Sequence, residues 1–202
     1  MSKKRAIIIF QKNAVKGRVK TRLAAGVGDE KALEIYRFLT AHAHQQLREL
    51  NVDKFLFFSD YLEEIPELKN YHFRVQQGAD LGERMYRAFS ELFEVGYESI
   101  LIIGTDCYEL RSKHLSEAFE QLRQSSFVFG PAKDGGYYLL GTTELLSGLF
   151  LNKNWSHEHV LKDACDFLEK NEQPYQLLET LSDVDTIDDL GPLKEQFQIV
   201  SS

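Results

Sequence analysis

Ser99-Ile100-Leu101-Ile102-Ile103-Gly104-Thr105-Asp106 is the stretch whose reading decides the fold. The aliphatic run is too short for a helix and rich in β-branched residues. It reads as a strand buried on both faces, and as the central strand of its sheet. The run stops at Gly104-Thr105-Asp106, where the chain must turn. Similar runs recur on either side at Arg5–Phe10, Lys54–Phe58, His72–Gln76, Phe127–Phe129 (closed by Gly130-Pro131), Tyr137–Leu140 and Tyr175–Leu178.

Helical periodicity fills the gaps between these runs. Ala32, Ile35, Tyr36, Leu39, Ala43 and Leu47 repeat within Asp29–Leu50. Leu81, Met85, Ala88, Leu92 and Phe93 repeat behind Asp80 and Glu83, a pair spaced as a capping box. Leu115, Ala118, Phe119 and Leu122 follow Ser112, which suits an N-cap. Val160, Leu161, Ala164 and Leu168 follow Trp155-Ser156, and Leu190, Leu193 and Phe197 predict a final helix. Ser59–Lys69 reads as a loop or short helix. Strands alternating with helices imply one layered α/β domain over residues 1–202 with a largely parallel sheet. Ligands of such sheets bind at the carboxyl ends of the strands.

Composition narrows the class. The chain has 202 residues, 43% of them hydrophobic, and a formal net charge of -7. No apolar run approaches the ~20 residues that a membrane helix needs. The acidic balance argues against a nucleic-acid partner. The basic start Met1-Ser2-Lys3-Lys4-Arg5 has no signal-type apolar region behind it, so a cytoplasmic protein is expected. Cys107 and Cys165 form neither a disulfide framework nor a CxxC motif, and no histidine pair has zinc spacing.

Against the acidic background stands Gly17-Arg18-Val19-Lys20-Thr21-Arg22, within a cluster that also holds Lys12 and Lys16. A charge run of this kind is either a solvated connection or a phosphate clamp. In a clamp the glycine brings the backbone close to an anion and Lys and Arg neutralise it. Asp106 ends the central strand and is either a turn residue or a ligand for a hard cation such as Mg²⁺. Asp183 and Asp185 lie on one side of an extended segment. Asp185 is the favoured second ligand, and Asp188 or Asp189 is expected to cap the final helix. Asp134-Gly135-Gly136 is a turn signal. It serves a plain hairpin, or it brings backbone close to a substrate with Asp134 on a hydroxyl or the metal. Trp155 is read as buried, Met85 as core and Arg84 as solvated unless it serves a ligand.

Taken in order, Phe10-Gln11-Lys12, Gly17 to Leu23, Gln77-Gly78 with Leu81-Gly82-Glu83-Arg84-Met85, Gly104-Thr105-Asp106, Gly130-Pro131-Ala132, Asp134-Gly135-Gly136-Tyr137-Tyr138, Trp155-Ser156 and Asp183-Val184-Asp185-Thr186 form a specific combination. It resembles a bacterial family of GT-A-like glycosyltransferases or nucleotide-diphospho-sugar transferases, largely of unknown function. That family is related to the guanylyltransferases of molybdenum-cofactor and phospholactate metabolism. The resemblance spans nearly the whole chain. It implies a three-layer α/β/α nucleotide-diphospho-sugar transferase (GT-A-like) fold with a mixed, mainly parallel sheet.

It further implies that Gly17, Lys20 and Arg22 bind phosphate and that Asp106 and Asp185 hold Mg²⁺ or Mn²⁺. Gly78, Leu81, Gly82 and Arg84 would lie by the nucleotide, and Asp134, Gly135 and Gly136 by the acceptor or sugar. Lys20, Arg22 and Asp106 would carry catalysis. The expected substrates are a nucleotide or nucleotide sugar and a small-molecule acceptor. Nucleotidyl transfer to a small phosphorylated acceptor is preferred over glycosyl transfer or a non-catalytic nucleotide-binding domain. Two positions depart from the family pattern: Asn13-Ala14-Val15 where a proline is usual, and Tyr108 where a proline is usual two residues after the metal aspartate.

Overall fold

β1 (Arg5–Gln11) and β4 (Ser99–Ile103) run side by side and parallel in a seven-stranded sheet. The structure, a computed structural model, describes residues 4–155 and 157–199; Ser156 of the Trp-Ser motif and Met1 to Lys3 of the basic start lie outside them. With β2 (Asp53–Phe58), β3 (Tyr71–Val75), β5 (Phe127–Pro131), β6 (Tyr137–Thr142) and β7 (Tyr175–Leu177), the strand order is β3-β2-β1-β4-β6-β5-β7. β4 is therefore the middle strand, as the aliphatic run Ile100–Ile103 requires. β6 pairs antiparallel with β4 and β5, and every other pairing is parallel, so the sheet is mixed and mainly parallel.

Strand side chains alternate between two cores. Ile7, Ile9, Leu101 and Ile103 pack on one face with Leu115, Ala118 and Phe119 of α4 (Ser112–Gln121). Ala6, Ile8, Ile100 and Ile102 pack on the other with Met85, Ala88 and Phe89 of α3 (Leu81–Glu94) and with Ala164 and Leu168 of α5 (Val160–Lys170). The result is the three-layer α/β/α arrangement. A third cluster joins Leu23 of α1 (Thr21–Val27) and Ile35 and Leu39 of α2 (Asp29–Leu47) to Val184, Leu190 and Leu193 of the C-terminal tail. Burying each such side chain contributes about 1.5–3 kcal/mol, enough to fix where the tail lies. Among the described residues no helix is long and apolar enough to cross a membrane.

Local expectations fail in three places. Thr21 opens a helix, so the cationic stretch is half loop and half first turn. The α4 N-cap is Arg111 rather than Ser112; the His114 side chain, at the third helical position, accepts the Arg111 amide, the part that Glu or Gln plays in a capping box. The predicted final helix is broken at Gly191 (φ 49°) and Pro192 into a 3-10 turn, Asp188–Leu190, and a four-residue α6 (Leu193–Gln196).

Candidate functional site

The carboxyl ends of β1, β4, β5 and β7 lie at one edge of the sheet, because β5 is antiparallel to β6 and β6 to β4. Asp106, Asp134 and the 183–185 segment follow those ends. A backbone bond closes the group: the Val184 amide donates to the Asp106 carbonyl at 3.0 Å. Val184 is buried in the third cluster, so Asp183 and Asp185 flank that anchor.

Lys20 reaches this edge from the other direction. It occupies the position before α1 with φ 48° and ψ 45°, a left-handed conformation unusual for a residue bearing a Cβ. Its ammonium, almost fully buried, lies 2.8 Å from Asp106 Oδ1 and 3.1 Å from Asp185 Oδ1. Burial alone would lower its pKa, but the two carboxylates more than offset that and raise it, so Lys20 stays charged. Arg22, exposed on the first turn of α1, donates from Nη2 to Asp185 Oδ2 at 2.6 Å. Lys16, by contrast, is paired with Glu30 on α2 and turns away. Only part of the cationic cluster meets the carboxylates.

Asp183, the neighbour that the sequence ranked behind Asp185, belongs to this site too. Its carboxyl is pushed up to about 7, first by burial and then by Asp106, with Asp134 and Asp185 adding to the shift and Lys20 opposing it. Four carboxyl groups therefore share one edge with two cations. Tyr36 lies beneath, buried, and its hydroxyl donates to the Lys12 carbonyl at 2.7 Å. Burial, then the charge of Asp106, pushes that phenol up to about 12.

The loop after β1 is held by Asn13, which is buried. Its Oδ1 accepts from the Asp60 amide at 3.0 Å and the Tyr61 amide at 3.3 Å, and its Nδ2 donates to the Tyr61 carbonyl at 2.9 Å. In the Asn13–Val15 stretch, where the resemblance implies a proline, this chain has a side chain that pins the loop by hydrogen bonds. Gly17, further along, has φ 74°. Tyr108, the other departure, packs its ring against His42 with centroids 4.9 Å apart and against Phe38 at 5.7 Å. Asp189 caps no helix; its Oδ2 accepts from the Asp185 amide, the Thr186 amide and the Thr186 hydroxyl, and so braces the Asp185 turn.

Gly78, Leu81, Gly82 and Arg84 lie at the start of α3, which follows β3 at this same edge. Asp80 caps the helix through the Glu83 amide at 2.8 Å, while Glu83 reaches back to the Ala79 amide rather than to Asp80. Arg84 Nε donates to the Gly78 carbonyl at 3.1 Å, and Leu81 is exposed. Gly82 and Gly135 each have a packing reason within the fold itself. A Cβ on Gly82 would lie 2.1 Å from the Phe150 carbonyl oxygen and 2.5 Å from Trp155 Nε1. One on Gly135 (φ 88°) would lie 1.9 Å from the Glu158 carbonyl oxygen. The close approach of Gly135 is thus to the 157–161 segment, where its carbonyl also accepts from the Leu161 amide at 3.0 Å. Asp134 accepts from the Gly136 amide at 2.9 Å, the bond of an ordinary turn, while its charge faces Asp183. Trp155 is only partly buried, with Nε1 turned inward and without a partner.

The sequence model of a bacterial family, DUF2064, described as "Uncharacterized protein conserved in bacteria", matches residues 39–157. Among solved structures, a provisionally assigned nucleotide-diphospho-sugar transferase of Desulfovibrio desulfuricans G20 superposes with a TM-score of 0.88 at 29% identity, covering 99% of this chain and 90% of that one. The inositol-1-phosphate CTP transferase of T. maritima gives 0.63 at 15% identity over 98% and 96% of the two chains. A cytidylyltransferase of Leptospira borgpetersenii gives 0.60 at 16% identity over 100% and 89%. The search of curated proteins returned no match.

Proposed function

This chain belongs to the DUF2064 family, and from that membership and the edge described above we propose that it is a metal-dependent nucleotidyltransferase acting in the cytoplasm. The reaction joins a nucleoside triphosphate to a small phosphorylated acceptor. An oxygen of the acceptor phosphate attacks the α-phosphorus. A new P–O bond forms, the α–β bridge breaks, and pyrophosphate departs with the electron pair. Such transfers need positioning and charge neutralisation more than covalent help. The fold shared with nucleotide-handling transferases supports the class.

One observation carries the reading: the Lys20 ammonium held between Asp106 and Asp185, with Arg22 on the outer oxygen of Asp185. Lys20 and Arg22 would neutralise charge on the α-phosphate and on the departing diphosphate. Gly17 would let the loop approach a phosphate, and Asn13 holds that loop in place. Gly78, Leu81, Gly82 and Arg84 would border the nucleotide, and the Asp134–Gly136 turn the acceptor.

The donor set suits Mg²⁺ or Mn²⁺. It is all oxygen, and after burial the charges of Asp106, Asp134 and Asp185 add to the raised pKa of Asp183. Among the described residues no three His, Cys, Asp or Glu side chains gather as a chelate. Mg²⁺ characteristically takes one or two carboxylates and completes its shell with water and substrate phosphates. Asp106 and Asp185 would hold the ion, whose chemistry is to withdraw charge from phosphate oxygens.

Thermal denaturation with each nucleoside triphosphate or nucleotide sugar plus Mg²⁺, followed by a pyrophosphate-release assay, tests this, since a bound ligand raises the melting temperature. Stabilisation by nucleotide sugars alone would replace nucleotidyl with glycosyl transfer. Binding without turnover across phosphorylated acceptors would make the chain a non-catalytic nucleotide-binding domain.

A further inference from the structure

We propose that the cleft between the start of α3 and residues 152–155 and 157–163 is the subsite for the hydroxyl-bearing part of the acceptor, a sugar or polyol. The inference rests on the transfer reading above and names a substrate class for it. The cleft has a volume of about 720 Å³ and is lined by Asp80, Asn152, Lys153, Trp155, His157 and Asp163. The cleft is open to solvent along one side.

Its position follows from the two tightly packed glycines. Gly82 seats Trp155 against the first turn of α3, and Gly135 seats Glu158 against the Asp134 turn. Asp134 in turn faces Asp183, within the charged edge. The cleft is thus joined through one backbone contact to the turn that borders the carboxylates.

The lining selects the chemistry. It carries two carboxylates, Asp80 and Asp163, against Lys153 and His157, so it has no cationic excess to attract a polyphosphate. Lys153 is further occupied by the Phe167 ring, 5.0 Å from its ammonium. Carboxylates accept hydrogen bonds and the Asn152 amide both accepts and donates, which is the complement of vicinal hydroxyls. One Asp80 oxygen takes the Glu83 amide, leaving the other as an acceptor. The Trp155 N–H is turned inward, so what the indole offers a ligand is apolar carbon. Sugars and polyols have both apolar C–H faces and polar rims, and this wall offers a match for each.

Trp155 is the only tryptophan of the chain, so its emission reports on the cleft directly. The full-length protein, without nucleotide, is titrated with glucose 1-phosphate, inositol 1-phosphate and glycerol 3-phosphate, and with inorganic phosphate as control. At least one polyol phosphate should give a saturable change, and inorganic phosphate none. Asp163→Asn, and Asp80→Asn, which retains an N-cap residue, should each weaken that binding about tenfold or more. Both variants should keep the thermal shift produced by nucleoside triphosphate and Mg²⁺. The proposal is overturned if no polyol phosphate changes the emission, if inorganic phosphate does so alone, if only nucleotide does so, or if both variants bind as the parent does. Polyol binding without any nucleotide-induced thermal shift would instead overturn the transfer reading and leave the subsite standing.

Discussion

Replacing Lys20 by Met keeps the aliphatic stem and removes the charge that Asp106 and Asp185 share. Truncating one member of a fully buried pair costs about 3–5 kcal/mol. Here the Asp106 and Asp185 side chains are 44% and 32% exposed, so water compensates for part of the loss. A destabilisation of about 2 kcal/mol is expected. In a domain of this size that lowers Tm by about 4–8 °C. The same geometry predicts how Mg²⁺ acts without nucleotide. In the parent protein the ammonium already lies between the carboxylates, so millimolar Mg²⁺ should leave Tm unchanged. In Lys20→Met the uncompensated carboxylates should take up the ion and recover most of the loss. Scanning calorimetry of both proteins with and without Mg²⁺ measures each step. A variant as stable as the parent would refute the pairing, and equal Mg²⁺ stabilisation of the two proteins would refute the idea that Lys20 fills the cation's place.

Further expectations follow from other sites. Asn13→Ala removes an amide that satisfies the backbone of residues 60 and 61 and should cost about 1–3 kcal/mol in urea denaturation; a change below a few tenths would show that the loop does not depend on it. Gly135→Ala should cost about 3 kcal/mol or more, since its Cβ meets the Glu158 carbonyl at a positive φ, whereas Gly136→Ala, whose Cβ meets only the Asp134 carboxylate at 3.2 Å, should be far milder; equal losses would contradict the packing account. His44 is buried between Gln11 and Tyr71 and held neutral, its pKa lowered by burial and then by Arg48 to about 4. Its unfolded form protonates near 6.5, so its share of stability is present above that pH and is lost as pH falls toward 4, by about 2 kcal/mol at pH 5. Asp183, with a raised pKa, contributes with the opposite sign in that window. The prediction is therefore for the difference between the parent and His44→Gln, whose gap should narrow between pH 8 and pH 5; a constant gap would exclude the His44 term.

The fold was legible because its elements are locally self-consistent. The aliphatic run Ile100–Ile103 of β4 needs cover on both faces, and amphipathic spacing supplies α2 through α5 to provide it. What escaped the sequence was set by contacts between distant segments. α1 has only seven residues and starts inside a charged stretch, so its periodicity is masked, yet burial of Leu23 against the tail forms it. The last predicted helix had the right apolar spacing, but Gly191 and Pro192 interrupt it, and tail burial does not require it to be continuous.

The site divides in the same way. Lys20, Arg22, Asp106 and Asp185 were identifiable by type and by their place at strand ends, and the structure brings those four together. Asp183 was in view as well, two residues from Asp185 on an extended segment, and periodicity alone made them equivalent. What separates them is the partner each meets: Asp185 meets Lys20 and Arg22, while Asp183 is half-buried among carboxylates and is harder to ionise. No local pattern encodes that difference, because the Val184–Asp106 backbone bond that creates it spans most of the second half of the chain. The Asp134 turn makes the converse point: as a local signal it was a plain hairpin, and its hydrogen bond is that of one, yet the neighbours that the fold supplies, Glu158 on one side and Asp183 on the other, connect the charged edge to the cleft around Trp155.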